Sequence, residues 1–548
     1  MRAVAISLCN LSVLKSCRKD MIKMNVIEVL TQLLGSGITD TVYLCTLALS
    51  NLTAAPDLRQ IVANKGAITV LCTLLSSPHA PTCAVASKSL ANFACDGACR
   101  AKVIAANAVP PMLNLFANAD EAVRSDSLGA IINLLSFPDT YHHVVECDLI
   151  THLKDIMHHT MHLDAIAMAL FNVTTYPDMH PMLIEQGGAE LLVSLLLNPN
   201  LSHLVEQNLA SLANIAKTKG VTPALIKAGI VQALWTPIAN AIPSGETTAV
   251  LPTATATKLA HILMDLSTTE DACKPLVAEG GVLSLVQLAR QDDDVTKLAV
   301  AAVFYNLSLK KVGIILHDPL TPPPSNPLPP PPQVLADHGF LDALIELSNT
   351  SLNKRVVWCA ITFSNLSTYP RGRTMFGKSI GQVAPCLAAM MRSGCKDAEK
   401  IQKHCAIALC NCLSVWLKQG DIEGMVETGL IQDLIVITVL RVNVDYIKEN
   451  LAKALFNLLI TQSTRQLMVE QGIMHSLIRL SKQVASHEVV TLCVTALQVR
   501  RRQRRSQTRL CQPAMHSNQN TPIKPNCPLV RTDLYVLGQL CLCLCVRI

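Results

Sequence analysis

Ten asparagines recur in one helical setting along this chain. A carboxamide is one of the few neutral side chains that donates and accepts a hydrogen bond at the same time. They are Asn10, Asn51, Asn92, Asn133, Asn172, Asn214, Asn306, Asn365, Asn411 and Asn457, in the segments ISLCNLS, LALSNLT, KSLANFA, GAIINLL, MALFNVT, ASLANIA, AVFYNLS, ITFSNLS, IALCNCL and KALFNLL. Such a row suits pairing with the N–H and C=O groups of an extended backbone, which is binding chemistry. In an eleventh copy, HILMDLS, Asp265 takes the asparagine's place, and an ionised carboxylate accepts but cannot donate. Lys88 and Lys453, four residues before Asn92 and Asn457, offer positive charge to acidic ligand residues. His158 and His162 are spaced to share a helix face, but no third metal ligand accompanies them, so no metal is expected. No phosphate-binding glycine loop, nucleophile elbow or metalloprotease helix is present, so no catalytic residue and no cofactor is assigned.

The elements that position the asparagines repeat with them. The first four intervals between asparagines are 41, 41, 41 and 39 residues. A period in this range marks stacked helical units, each burying its apolar face against its neighbours. Residues 59–97 show one unit. A short helix, Arg59-Gln60-Ile61-Val62-Ala63-Asn64-Lys65, ends at Gly66, where left-handed backbone closes it. A second helix starts at Ala67 and stops before Pro78, and a longer third helix over 86–94 carries Asn92. The closing slot is filled elsewhere by Gly187-Gly188, Gly229, Gly280-Gly281, Gly339, Gly381, Gly429 and Gly472, and by Asn25, Asn107 and Cys147-Asp148. Turns such as Ala55-Pro56-Asp57, Phe137-Pro138-Asp139 and Tyr176-Pro177-Asp178 follow the third helices.

Ten signatures in phase, each preceded by a hinged helix pair, resemble the armadillo-repeat family over residues 1–498. The resemblance implies an all-α, right-handed solenoid of about 11–12 three-helix repeats. It also implies that the asparagines bond an extended peptide along the concave face. Helices pack roughly 8–10 Å apart and a strand rises about 3.3 Å per residue, so one asparagine would meet about every third ligand residue. Each bond contributes about 0.5–1.5 kcal/mol, so several are needed. The alternative is that the asparagines bond between repeats and hold the stack. The nuclear-import adaptor of this family, importin-α, places tryptophans four residues before its ladder asparagines. Here those positions hold Ile6, Leu47, Lys88, Gly129, Met168, Ala210, His261, Ala302, Ile361, Ile407 and Lys453, none aromatic, so the likeness does not extend to that adaptor.

Repeats are expected over 1–312 and 335–498, interrupted over 313–334 by a proline-rich loop, Leu320 to Gln333. Pro329–Pro332 resembles ligands of SH3, WW, EVH1 or profilin-type modules, or serves as a spacer. Residues 499–548 form a basic, cysteine-rich tail with the composition of a disordered segment. It holds nine Lys/Arg against one acidic residue, which accounts for the whole net charge of +6. The repeat body is left slightly acidic, so no nucleic acid is expected there. Arg500–Arg505 and Cys541, Cys543 and Cys545 confine any nuclear address or membrane contact to the tail. No apolar run reaches 18 residues, and Met1-Arg2 leads directly into a repeat helix rather than a secretory signal. The 21 cysteines, an odd number and many of them in signature helices, read as reduced and cytoplasmic. The chain opens inside a third helix, as a fragment or a mis-predicted gene model would. The expected function is a non-enzymatic scaffold or adaptor that binds other proteins through extended segments. A nuclear-transport or shuttling adaptor, or a regulatory subunit of a signalling enzyme, is the alternative.

Overall fold

The computed structural model describes residues 1–244, 246, 248–310, 333–394, 396–419, 445–460 and 473–483, with 490, 491, 494 and 495. Among these residues there are helices and turns and no strand. The expected three-helix unit recurs: Pro56–Asn64, Ala67–Leu74 and Ala80–Ala94 form one copy, and Gly97–Ala105, Val109–Asn114 and Glu121–Leu135 the next. Third helices stack on third helices, from Arg2–Val13 through Thr39–Thr53, Ala80–Ala94, Glu121–Leu135, Leu163–Thr174, Val205–Ala216, Thr253–Ser267, Asp294–Leu309, Asn353–Ser367 and Ala398–Gln419 to Asp445–Ile460. The fold is an armadillo-type α-solenoid.

Apolar residues at helical spacing build each layer. Leu49, Leu90, Ile131, Leu170 and Leu212, each two residues before the ladder asparagine of successive third helices, are wholly buried. Each such side chain is worth about 1.5–3 kcal/mol when removed from water, and this burial holds helices too short to persist alone. Larger cores form where Phe304 meets Phe340 edge to face, with centroids 4.6 Å apart, and where Phe363 meets Phe376 at 5.5 Å.

The first-to-second helix corner behaves as the residue types require. Gly66, Gly187, Gly229 and Gly280 have positive φ, and Asn25, Asn107 and Asp148 take left-handed backbone at the same point. At the glycine pair the two residues differ in role. Gly187 supplies φ +84°, whereas a Cβ on Gly188 would lie 2.7 Å from the Leu183 carbonyl, so its lack of a side chain lets the two helices close up.

Two glycines expected in this role do not have it. Gly339 lies inside a continuous helix, Gln333–Ser348, and Gly381 lies just within helix Ile380–Arg392, after a corner made by Ser379 at φ −121°. Helix Gln333–Ser348 also starts two residues before the expected repeat boundary at 335. A helix interior tolerates glycine when packing on both sides supports the backbone. Gly429, Gly472, the Pro329–Pro332 run and the 499–548 tail lie outside the described residues.

The extra length before Asp265 is pinned rather than loose. Ala249 is buried, its N–H donates to Gln287 Oε1 (2.9 Å), and its carbonyl accepts from Gln291 Nε2 (2.9 Å). A recurring polar contact closes many repeats. The residue eight positions after the ladder position reaches back to the carbonyl at the end of the third helix. Arg18 Nε donates to Ser12 O (2.7 Å), Arg59 Nε to Thr53 O (2.9 Å) and Arg373 Nη1 to Ser367 O (3.2 Å), and His180 Nε2 lies 2.8 Å from Thr174 O. These carbonyls have no partner within their own helix.

Candidate peptide-binding face

The ladder residues line up along the stacked third helices. Asn10 is exposed, and Asn51, Asn92, Asn133, Asn172, Asn214, Asn306, Asn365 and Asn411 are partly exposed. Asn457 lies on helix Asp445–Ile460, with its side chain outside the described set.

Five members of the row bond to the preceding repeat in one pattern. Asn51 Nδ2 donates to Ser12 Oγ (2.9 Å), Asn92 to Thr53 Oγ1 (3.2 Å), Asn306 to Ser267 Oγ (2.9 Å), Asn365 to Ser308 Oγ (3.0 Å) and Asn411 to Ser367 Oγ (3.0 Å). In all five the acceptor hydroxyl stands two residues after the ladder residue of the preceding repeat. That hydroxyl spends its own hydrogen on the carbonyl three residues back. Ser12 donates to Cys9 O (2.6 Å), Thr53 to Ser50 O (2.9 Å), Ser267 to Met264 O (2.7 Å), Ser308 to Tyr305 O (2.7 Å) and Ser367 to Ser364 O (2.6 Å). A hydroxyl has one hydrogen, so the oxygen that faces the asparagine can only accept. This fixes Nδ2 toward the neighbouring repeat. For Asn51, Asn92, Asn306 and Asn365, the Oδ1 has no partner among the described residues.

This relay explains the recurring Asn-x-Ser/Thr triplets at Asn10, Asn51, Asn306 and Asn365. The third residue is the acceptor for the next repeat's asparagine, and Ser12, Thr53 and Ser267 are fully buried. Where alanine (Ala94) or leucine (Leu135) replaces the hydroxyl, the contact changes. Asn133, facing Ala94, reaches the Ala91 carbonyl at 3.5 Å, and Asn172 uses Ser136 Oγ at 2.9 Å. Asp265 faces Ala216, and its Oδ2 is buried with no hydrogen-bond partner. Burial raises the Asp265 pKa, against the opposing pull of Lys217 and His261.

The residues four before the ladder fall into two groups. Ile6 (41% exposed), Lys88 and Met168 (49%) are open, whereas Ala302 and Ile361 are buried. Lys88 is exposed and lies close enough to Asp126 on the next third helix to oppose the burial-driven rise of that carboxyl's pKa. Lys453 is engaged within its own helix by Glu449 Oε1 at 2.5 Å.

Further back along the third helices, charges pair across repeats. Arg2 meets Asp40 (3.0 Å), His203 meets Asp164 (3.1 Å), Lys258 meets Glu206 (2.7 Å) and Arg355 meets Asp294 (2.7 Å). This end of the face is therefore largely charge-balanced.

An aromatic pair was invisible in the four-before positions. Tyr305 and Trp358, both partly exposed, stack at 6.2 Å beside Asn306 and seven residues before Asn365. The seven-residue spacing on one helix face was the available signal.

The expected His158/His162 helix face is not formed. Helix Leu149–Asp155 ends first, and a 3₁₀ turn, Thr160–His162, intervenes. His162 is buried and 3.4 Å from Arg124 Nε, and His158 packs on His159 at 4.0 Å. Among the described residues no three His, Cys, Asp or Glu side chains cluster as metal ligands, and no single helix is long and apolar enough to cross a membrane.

The family model described as "Kinesin-associated protein (KAP)" matches residues 2–314, more than half of the chain. The chain belongs to the kinesin-associated protein family. The KAP match runs from the helix bearing Asn10 past the helix bearing Asn306, so it contains the Asp265 position and the loop before it. Among solved structures, a chain from work on the interaction between cadherin and β-catenin is similar at 12% identity and TM-score 0.51, covering 86% of this chain and 99% of that one. At that identity the likeness concerns the fold alone. An engineered protein is similar at 20% identity and TM-score 0.39, covering 86% of this chain and 98% of its own. No curated protein matches. The KAP-family chain is an armadillo-repeat protein, and the repeat class is one of protein-interaction scaffolds, generally non-enzymatic.

Proposed function

We propose that this chain is an adaptor that associates with a kinesin and holds an extended segment of it along the third-helix face. The observation that carries this reading is the KAP-family match over residues 2–314, a stretch that includes the carboxamides Asn10 to Asn214 at intervals of 39–42 residues, all at least partly exposed. The relay supports a definite polarity. With Nδ2 committed to the neighbouring repeat, the Oδ1 atoms are left as acceptors, and a ligand backbone would present its N–H groups to them. Exposed Ile6 and Met168 offer apolar contacts between those acceptors. The proposed place of action is the cytoplasm. Engagement of SH3, WW, EVH1 or profilin-type modules by Pro329–Pro332 is a separate proposal, tested by deleting 320–332.

The test is retention of a purified full-length kinesin on the immobilised full chain. Asn10→Ala and Met168→Glu are the informative variants, because the exposed Asn10 side chain makes no hydrogen bond among the described residues and Met168 is half-exposed, so neither removes a relay bond seen here. Retention by wild type, with at least tenfold weaker binding by the double variant at an unchanged melting temperature, is expected; roughly 1.4 kcal/mol corresponds to that factor. No retention by wild type overturns the kinesin reading. Equal retention by both proteins moves the contact off this face.

A further inference from the structure

We infer that the junction between helices Val205–Ala216 and Thr253–Ser267 is a built-in joint about which the two parts of the solenoid change their relative angle. At most described junctions between third helices a side-chain hydrogen bond stitches one repeat to the next. The relay supplies it at Ser12/Asn51, Thr53/Asn92, Ser267/Asn306, Ser308/Asn365 and Ser367/Asn411. Asn133 compensates for Ala94 by donating to a backbone carbonyl. Asn214 makes no such bond although Thr174 stands at the matching place, but its carboxamide is partly exposed and open to water.

Only the Asp265 junction combines a missing donor with a missing hydroxyl. Ala216 has nothing to donate. Ala213, in the position that Ala91 holds before Asn133, presents a carbonyl, which accepts. An ionised carboxylate also accepts, so it cannot use that carbonyl as Asn133 does, and Oδ2 is left buried and unpaired. A buried polar atom without a partner weakens the closed arrangement relative to one that lets water in.

The loop before Asp265 adds no tie across this junction. Its anchor, Ala249, is bound by Gln287 and Gln291 of the following repeat, so the loop belongs to the C-terminal side of the joint. Across the junction the polar connections are charge-based: the Lys258–Glu206 ion pair (2.7 Å), whose glutamate is largely exposed, and the attraction of Lys217 for Asp265, and such pairs near the surface are weak and non-directional. Apolar packing remains, and it permits sliding and rotation more readily than directional bonds do. The groove then behaves as two ladders, Asn10 to Asn214 and Asn306 onward, whose angle adjusts to the ligand. This inference is independent of the kinesin reading.

Distances between spin labels carried on noncanonical amino acids in the full chain test it. One pair, at Asn200 and Asp292, spans the joint. A control pair, at Ala119 and Asn200, spans two junctions on its N-terminal side. The expected result is a broader distance distribution across the joint, narrowing to the control width in Ala216→Ser/Asp265→Asn, which rebuilds the relay. Asp265→Asn alone should narrow it in part by donating to Ala213 O, and it serves as the second variant if the double variant fails to fold. Equal widths in wild type, or no narrowing in a folded variant, overturn the joint.

Discussion

Ser267→Ala removes one atom and cuts two hydrogen bonds. The hydroxyl is fully buried, donates to Met264 O at 2.7 Å and accepts from Asn306 Nδ2 at 2.9 Å. A hydrogen bond contributes about 0.5–1.5 kcal/mol net, and a buried group left unpaired costs about 1–3 kcal/mol. Met264 O loses the hydroxyl, since the Thr268 N–H turns to Asp265 O, but Asn306 is partly exposed, so water recovers part of the loss on that side. The expected cost is about 1–2 kcal/mol for Ser267→Ala. Asn306→Ala should cost a similar amount, and the double variant should cost less than the sum by about 1 kcal/mol, since both changes remove one bond. Hydrogen exchange of helices Thr253–Ser267 and Asp294–Leu309 is the appropriate assay, because repeat arrays open locally and a single global midpoint averages over all interfaces. Protection should fall roughly 5- to 30-fold in these two helices and stay unchanged in Thr39–Thr53. A coupling near zero, or losses spread evenly over the array, would refute the relay as the element that ties one repeat to the next.

Asp265→Asn should stabilise the chain at neutral pH. Burial raises the folded-state pKa, with Lys217 and His261 opposing, so the stability that the neutral acid provides is full below the unfolded value of about 3.9 and is lost as pH rises through the folded value. The advantage of asparagine in urea titrations should therefore vanish toward pH 3 and grow on the neutral side. Arg59→Met should cost about 1–2 kcal/mol by uncapping the Thr53 carbonyl, seen as faster exchange at the end of helix Thr39–Thr53; an unchanged rate would show that water caps it equally well. Gly187→Ala should cost roughly 1–2 kcal/mol, because an L side chain at φ +84° is strained. A thermal melt within error of wild type would contradict the corner geometry.

Much of the fold was legible because each unit folds from local signals. Apolar residues at helical spacing, a residue tolerant of left-handed backbone at each corner and Pro-Asp turns lie within a few residues of what they control. Even the substitutes Asn25, Asn107 and Asp148 were readable, since they too tolerate that backbone. Gly339 and Gly381 misled because glycine permits a corner without enforcing one, and neighbouring packing kept those segments helical or moved the corner to Ser379. The His158/His162 face failed for a similar reason, as the second helix ended at Asp155 and the spacing lost its meaning.

The sequence by itself determined the repeat, its three-helix unit, the row of asparagines and the two interruptions of the rhythm. Only the tertiary structure decided what the asparagines do within the stack. Their partners stand 39 to 57 residues away at the five relay junctions, and no rule of local spacing connects them. The Ser or Thr two places after Asn10, Asn51, Asn306 and Asn365 has no local signal of its role, because its partner lies in the next repeat. The same holds for the Tyr305–Trp358 stack and for the unpaired oxygen of Asp265. The register between parallel third helices sets all three, and that register exists once the apolar faces of successive repeats have packed.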